Sequence, residues 1–118
     1  MVDNLVAEKV NILFTIGGDG TQRGANAIFE EVQRRGLKIS VLGIPKTIDN
    51  DILFVSRTFG FDTAVEEGRK AIRAAHQEAA SAINGIGLVR LMGRDSGFIA
   101  AKAALSSGDV NIWYVVEE

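Results

Sequence analysis

A glycine-rich turn that carries a carboxylate and a hydroxyl is the stretch of this sequence best suited to chemistry. Residues 17–21 (Gly-Gly-Asp-Gly-Thr) directly follow a largely apolar run at 10–16, and a helical pattern then opens. Glycines let bare backbone approach a bulky anion, and the amides at the start of the next helix attract it. Asp19 offers oxygen ligands to Mg²⁺, and Thr21 can cap the helix or bond a phosphate oxygen. The turn indicates a phosphate or metal–phosphate site, with a ligand-free strand-to-helix turn as the alternative.

A second polar cluster, residues 45–51 (Pro-Lys-Thr-Ile-Asp-Asn-Asp), follows the apolar run at 39–44. Ligands of open α/β sheets bind just past the carboxyl ends of strands, which is where both clusters are predicted to lie. On an extended segment, Thr47, Asp49 and Asp51 would point to the same side. Two such carboxylates can divide the work, one holding a metal and one accepting a proton. The alternatives are a solvated acidic turn or half of a calcium loop, although the further ligands of a calcium loop are missing.

A third cluster, residues 92–98 (Met-Gly-Arg-Asp-Ser-Gly-Phe), ends another apolar run. Arg94 at a strand end presents a fork of donors that suits a phosphate. Asp95 or Ser96 is expected to cap the helix that follows. The stretch is not a hydrolase nucleophile elbow, because the serine is misplaced for Gly-x-Ser-x-Gly and no histidine follows it.

Composition favours one α/β domain over residues 1–118. The chain is 47% hydrophobic, which suits a folded interior, and its net charge of −2 argues against nucleic acid as a partner. It has no cysteine, so disulfides and cysteine metal sites are excluded. No apolar run is long enough to span a membrane, no secretory signal stands at the start, and His76 is expected to be an ordinary helix residue.

Apolar runs and helical patterns alternate along the chain. The predicted strands are 10–16, 39–44, 86–91 and 110–116, and the predicted helices are 21–35, 62–81 and 96–107. Gly36 stands where a glycine commonly ends a helix, and Thr63 with Glu66 has the spacing of a capping box. Continuous apolar strands between helices predict a three-layer α/β/α fold with a mainly parallel sheet, Rossmann-like or flavodoxin-like.

Four motifs, taken in order, resemble the phosphofructokinase family. They are residues 17–21, 45–51, 59–64 (Phe-Gly-Phe-Asp-Thr-Ala) and 92–98. Their order and spacing match along nearly the whole chain, and the sequence looks most like phosphofructokinases of trypanosomatid and plant type. The resemblance implies a glycolytic phosphotransferase that moves a phosphoryl group from ATP–Mg to the 1-hydroxyl of fructose 6-phosphate.

The resemblance also implies residue roles. The nucleotide-binding residues would be Gly18, Asp19, Gly20, Thr21 and Lys46. The residues that bind the sugar phosphate would be Thr47, Asp49, Asp51, Met92, Gly93 and Arg94. Asp49 would be the base for the 1-hydroxyl, and the other catalytic residues would be Thr47, Asp51 and Arg94. Mg²⁺ would be held by Asp19 and Asp51.

The donor is expected to be ATP. In this family a residue as small as Gly20 goes with ATP, whereas an aspartate there goes with pyrophosphate, usually with a lysine where Lys46 stands. A pyrophosphate-dependent phosphofructokinase is one alternative. A lipid or nicotinamide-nucleotide kinase shares the first motif, but residues 47–51 and 92–94 argue against it. A non-catalytic α/β scaffold is the alternative from another class.

Several family features have no counterpart in this chain. A glycine-rich amino-terminal segment with its arginine is absent, as are downstream segments that supply further arginines and a histidine, and residues 111–117 depart from the family pattern. We therefore expect a central fragment, natural or engineered, that starts at its own Met1, self-associates as a homo-oligomer and is inactive alone. The expected compartment is the cytoplasm, with a glycosomal or plastid parent as the alternative.

Overall fold

The computed structural model describes residues 1–115, which form two compact units. The first unit is Met1–Lys46 and the second begins at Thr47. Among the described residues, no helix combines the length and the apolar character needed to cross a membrane.

The first unit is a strand–helix–strand arrangement preceded by a short helix. Its elements are α1 (Val2–Ala7), β1 (Ile12–Gly17), α2 (Asp19–Arg34) and β2 (Ser40–Pro45). The two strands are parallel, and Gly17 lies opposite Pro45 at their carboxyl ends. Helix α2 lies against the strand pair, and its Val32 packs with Val2 and Ile39 in a small core. Alternate strand residues are left exposed, and these are Ile12, Phe14, Ile16, Leu42 and Ile44.

Helix α2 ends at the glycine that the sequence indicated. The Gly36 N–H donates to the Gln33 carbonyl at 3.0 Å. The Leu37 N–H donates to the Val32 carbonyl at 3.1 Å, which completes a Schellman motif. Gly36 has a φ of +64°, a left-handed conformation that carries no Cβ penalty for glycine. The prediction of this helix end is confirmed.

The second unit is built on two helices, α3 (Phe61–Ser81) and α4 (Phe98–Ser107). The buried stripe of α3 consists of Phe61, Val65, Gly68 and Ile72. It packs against Ile99 and Ala103 of α4.

Two of the four predicted strands are not strands in the structure. Residues 86–91 do alternate as a strand would, because Val89 and Leu91 pack on the core of α3 and α4 while Ile86 and Leu88 are exposed. No ladder of hydrogen bonds to a neighbouring strand forms there within residues 1–115, and a strand is defined by that ladder. The described part of the predicted strand at 110–116 forms no such ladder either, and its last residue lies outside the described range. The α/β class is confirmed, and the parallel sheet has two strands rather than four among residues 1–115.

The predicted side-chain caps are wrong. Three helices each begin after a glycine with no side-chain hydrogen bond at the cap, and these glycines are Gly18, Gly60 and Gly97. The residues that do not serve as caps are therefore Thr21, Thr63 with its partner Glu66, Asp95 and Ser96. Gly60 and Gly97 take φ values of +83° and +64°, so the backbone itself makes the turn into the helix.

Candidate active site

The carboxyl ends of β1 and β2 bring the glycine turn and Lys46 together in the first unit. The Lys46 N–H donates to the Gly17 carbonyl at 2.7 Å, and the Gln22 side-chain amide donates to the same carbonyl at 3.1 Å. Parallel neighbours end at the same edge of a sheet, which is why two segments far apart in sequence meet here. The Lys46 side chain is exposed beside the turn. The residues predicted to bind the nucleotide in this unit thus surround one corner.

The start of α2 is open to an anion. Its N-cap, Gly18, offers no side chain to the first amides, so these N–H groups have no side-chain partner there. The positive end of the helix dipole favours a negative group at this position. A Cβ added at Gly20 would have no atom within 4 Å, and Thr21 is exposed beside it. The corner therefore has both the donors and the room for a phosphate group.

Asp19 is the first residue of α2, and its carboxylate pairs with the guanidinium of Arg23 one turn later. That ion pair uses only Oδ2 of Asp19. A carboxylate has about four lone-pair sites on two oxygens, so Oδ1 can still serve a cation. Within residues 1–115 no group of three or more histidine, cysteine, aspartate or glutamate residues is arranged to hold a metal. Mg²⁺ does not need one, because it usually keeps several waters and takes one or two carboxylates.

In the second unit, Asp49 is held at both of its backbone polar groups by hydroxyls. Thr47 Oγ1 accepts a hydrogen bond from the Asp49 N–H at 3.1 Å. Ser96 Oγ donates to the Asp49 carbonyl at 3.0 Å. The Asp49 carboxylate itself takes part in none of the hydrogen bonds or ion pairs among the described residues, and the residue is half-buried. The backbone is fixed while the carboxylate oxygens are left for another group.

The loop around Asp49 is bent rather than extended. The backbone bends at 48–49, and Asn50 has a left-handed φ of +57°. Asn50 also closes the loop, because its Oδ1 accepts the Thr58 N–H at 2.9 Å. The extended segment on which Thr47, Asp49 and Asp51 were expected to point to the same side is therefore not formed.

Asp51 has the clearest mark of a ligand-binding carboxylate. Its Oδ1 is buried and has no hydrogen-bond partner among the described residues. Leaving such an acceptor unpaired costs about 1–3 kcal/mol, and more for a charged group. A bound cation would remove that penalty, so Asp51 fits the role of a Mg²⁺ ligand that the family resemblance implies.

Met92 and the turn at 93–97 supply the remaining site residues. The Ser96 N–H donates to the Gly93 carbonyl at 3.1 Å, and Arg94 has a left-handed φ of +50°. The Arg94 side chain is exposed, as is that of Met92. Through Ser96 this turn contacts the Asp49 loop, so the residues predicted to bind the sugar phosphate lie in one region of the second unit.

Sequence reasoning missed the side chains that tie the site together. Gln22 supports the Gly17 carbonyl, Asn50 closes the loop, and Ser96 holds Asp49. Each of these contacts is made to a backbone group that is not adjacent in sequence, and residue type does not reveal such a partner. Ser96 had a local interpretation as a helix cap, which concealed its contact with Asp49.

A glycine corner at the ends of two parallel strands, with the amides of a following helix open, is typical of α/β domains that bind phosphate groups. The phosphofructokinase family model matches residues 1–118, so the chain belongs to the phosphofructokinase family. The resemblance stated from the four motifs is confirmed.

The individual proteins that this chain resembles carry names from the same family. The ATP-dependent 6-phosphofructokinase of Trypanosoma brucei brucei is 64% identical over 117 residues, which cover 99% of this chain and 24% of the relative. ATP-dependent 6-phosphofructokinase 1 of Arabidopsis thaliana is 59% identical over 117 residues, covering 99% of this chain and 25% of the relative. The ATP-dependent 6-phosphofructokinase of Borreliella burgdorferi is 59% identical over 117 residues, covering 99% and 26%. The chain spans about a quarter of the length of the curated relatives it matches.

Proposed function

We propose that this chain supplies the catalytic loop and part of the donor site of an ATP-dependent 6-phosphofructokinase. The observation that carries the proposal is the Asp49 carboxylate, which has no partner among the described residues while its backbone N–H and carbonyl are both held. A carboxylate fixed in this way suits a general base, because it is positioned without its oxygens being used.

The proposed acceptor is fructose 6-phosphate. Asp49 accepts the proton of the 1-hydroxyl as that oxygen attacks the γ-phosphorus of ATP. The new O–P bond forms, the bond from the γ-phosphorus to the ADP oxygen breaks, and fructose 1,6-bisphosphate and ADP result. Thr47 and Arg94 lie in the same unit as Asp49, and the exposed guanidinium of Arg94 can balance the negative charge of the phosphoryl group.

The proposed donor is ATP. The relatives at 56–64% identity are named ATP-dependent, and the open space at Gly20 leaves room for a nucleotide phosphate. The amides at the start of α2 and the exposed Lys46 would contact the phosphates. Asp19 in the first unit and Asp51 in the second each offer a carboxylate oxygen to Mg²⁺, which would supply charge neutralisation to the transferring phosphates.

The proposal is tested in a chimera in which this chain replaces the matching quarter of the Trypanosoma brucei relative. Production of ADP and of fructose 1,6-bisphosphate is measured with ATP and, separately, production of phosphate with pyrophosphate as donor. We expect turnover with ATP and at least a hundredfold less with pyrophosphate. Preference for pyrophosphate would make this segment pyrophosphate-type, and a folded chimera inactive with both donors would leave only a scaffold role.

A further inference from the structure

Ser96 is the side chain that joins the Asp49 loop to the turn carrying Arg94. Its Oγ lies 3.0 Å from the carbonyl oxygen of Asp49, a residue 47 positions earlier, and 2.8 Å from the carbonyl oxygen of Gly93. No other side chain among the described residues makes a hydrogen bond between these two segments. Ser96 is half-buried, so the contact is partly shielded from water.

The Ser96 hydroxyl has a single proton to donate, and the two carbonyls compete for it. The Gly93 carbonyl already accepts the Ser96 backbone N–H at 3.1 Å. The Asp49 carbonyl has no other donor among the described residues. Donation of the hydroxyl proton to Asp49 therefore stabilises the structure more than donation to Gly93. A role for Ser96 as the cap of α4 is excluded, because Gly97 occupies the cap position without a side-chain hydrogen bond.

The hydrogen bond from Ser96 to Asp49 matters because the other contact of the Asp49 backbone is local. Thr47 is only two residues away, so its hydrogen bond travels with the loop and does not fix the loop in space. The Ser96 hydroxyl instead ties Asp49 to a turn that begins an anchored helix, since Ile99 of α4 is fully buried. An error of about 1 Å in the position of a catalytic group can cost about a hundredfold in rate.

We propose that Ser96 is a positioning residue, whose hydroxyl sets the place of the Asp49 carboxylate relative to Arg94 by holding the Asp49 carbonyl. The inference rests on the proposed function of Asp49 as the base. It predicts that loss of the hydroxyl lowers the rate of the chemical step and leaves donor binding unchanged.

The hydrogen bond itself is tested in the 118-residue chain by the ¹³C chemical shift of the Asp49 carbonyl. Ser96→Ala should move that resonance, whereas Ser96→Thr, which keeps a hydroxyl, should leave it close to the original position. The matched control is Ser106→Ala, because Ser106 Oγ donates only within α4, to the Lys102 carbonyl at 2.6 Å. An Asp49 resonance that ignores Ser96→Ala overturns the inference and leaves the proposed function intact.

The kinetic role is tested in the chimera described above. Ser96→Ala should lower kcat about three- to tenfold, the range expected for one neutral hydrogen bond, with the KM for ATP changed less than twofold. Ser96→Thr should restore kcat, and Ser106→Ala should leave it unchanged. Should Ser96→Ala not fold, Ser96→Cys takes its place, because a thiol is similar in size and a weak donor.

The outcomes separate the two proposals. A kcat for Ser96→Ala or Ser96→Cys equal to that of the unchanged chimera overturns the positioning role while the proposed function stands. An unchanged chimera that folds but does not turn over overturns the proposed function and the inference together. A fall in kcat that Ser96→Thr reverses supports both.

Discussion

At the scale of single residues, the backbone groups that hold Asp49 in place are different from the carboxylate oxygens that would react. Asp49 is fixed through its backbone by Thr47 and Ser96, and its carboxylate is left without a partner among the described residues. Asp51 also has a carboxylate oxygen, its buried Oδ1, that is without a partner there. Hydrogen bonds that hold the backbone position a side chain without consuming the atoms that react, and this preorganisation is what phosphoryl transfer requires.

Replacing Asp49 by Asn tests the base. In the chimera, Asp49→Asn should keep the fold and lower kcat by about 10²–10⁴-fold, because an amide cannot accept the proton. The matched control is Asp62→Asn, which changes an exposed aspartate that pairs with Arg57. A kcat for Asp49→Asn within threefold of the unchanged chimera would remove Asp49 from the mechanism.

Replacing Gly20 by Asp tests the donor. The space at Gly20 is open, and an aspartate there would bring bulk and negative charge beside the nucleotide phosphates. We expect the KM for ATP to rise at least tenfold, with a smaller effect on any turnover that uses pyrophosphate. Gly24→Asp is the matched control, since Gly24 lies one turn further along α2 and is equally open. If both substitutions shift the KM for ATP alike, Gly20 is not beside the nucleotide.

At the scale of elements, the sequence predicted the positions of several helices and strands but not which strands pair. The ends of β1, α2 and β2 lie within two residues of the predicted ends, because apolar runs and Gly36 are encoded locally. The segment 86–91 has the alternation of a strand, yet pairing depends on a neighbouring strand that a linear pattern does not contain. Helix caps failed for a similar reason, since a glycine before the helix made a side-chain cap unnecessary.

The same limit applies to the site. The glycine turn and Lys46 meet at the ends of β1 and β2 as predicted, because strand ends and glycine turns are visible in the sequence. The motifs did not reveal the bend at 48–49, the pairing of Asp19 with Arg23, or the contact from Ser96 to Asp49. Those features depend on side-chain geometry and on partners many residues away, and only the three-dimensional structure supplies them.

The end of α2 gives a prediction that is independent of function. Gly36→Ala should destabilise the chain by about 1 kcal/mol, because alanine at a φ of +64° meets the left-handed penalty. Gly24→Ala, the same substitution inside α2, should instead stabilise it by about 0.5–1 kcal/mol, since alanine is the better helix former. Chemical denaturation of the two variants measures both effects. Equal effects of the same sign would show that α2 does not end at Gly36 in solution.

At the scale of the whole molecule, the chain leaves much apolar surface uncovered. Phe14 of β1 is 58% exposed, and its neighbours Ile16 and Leu42 are exposed as well. In the second unit, the side chains of Ile86 and Leu88 are exposed on one face of an extended segment. Contiguous apolar surface and open strand edges favour association between molecules. The homo-oligomer expected from the sequence stays a prediction, and this apolar surface is where we propose that association occurs.

The last prediction concerns the isolated 118-residue chain. It spans about a quarter of the length of its relatives, and a site that works by positioning loses rate steeply when clamping groups are missing. We expect turnover of fructose 6-phosphate with ATP to be at least a thousandfold below that of the chimera, and light scattering to show self-association. Phe14→Lys should reduce the association, because it places a charge on the apolar face of the strand pair, whereas Leu105→Lys, at an exposed position of α4, serves as the control. A monomeric chain that turns over at a rate comparable to the chimera would contradict both parts, and association that both lysine variants reduce equally would locate it away from the strand face.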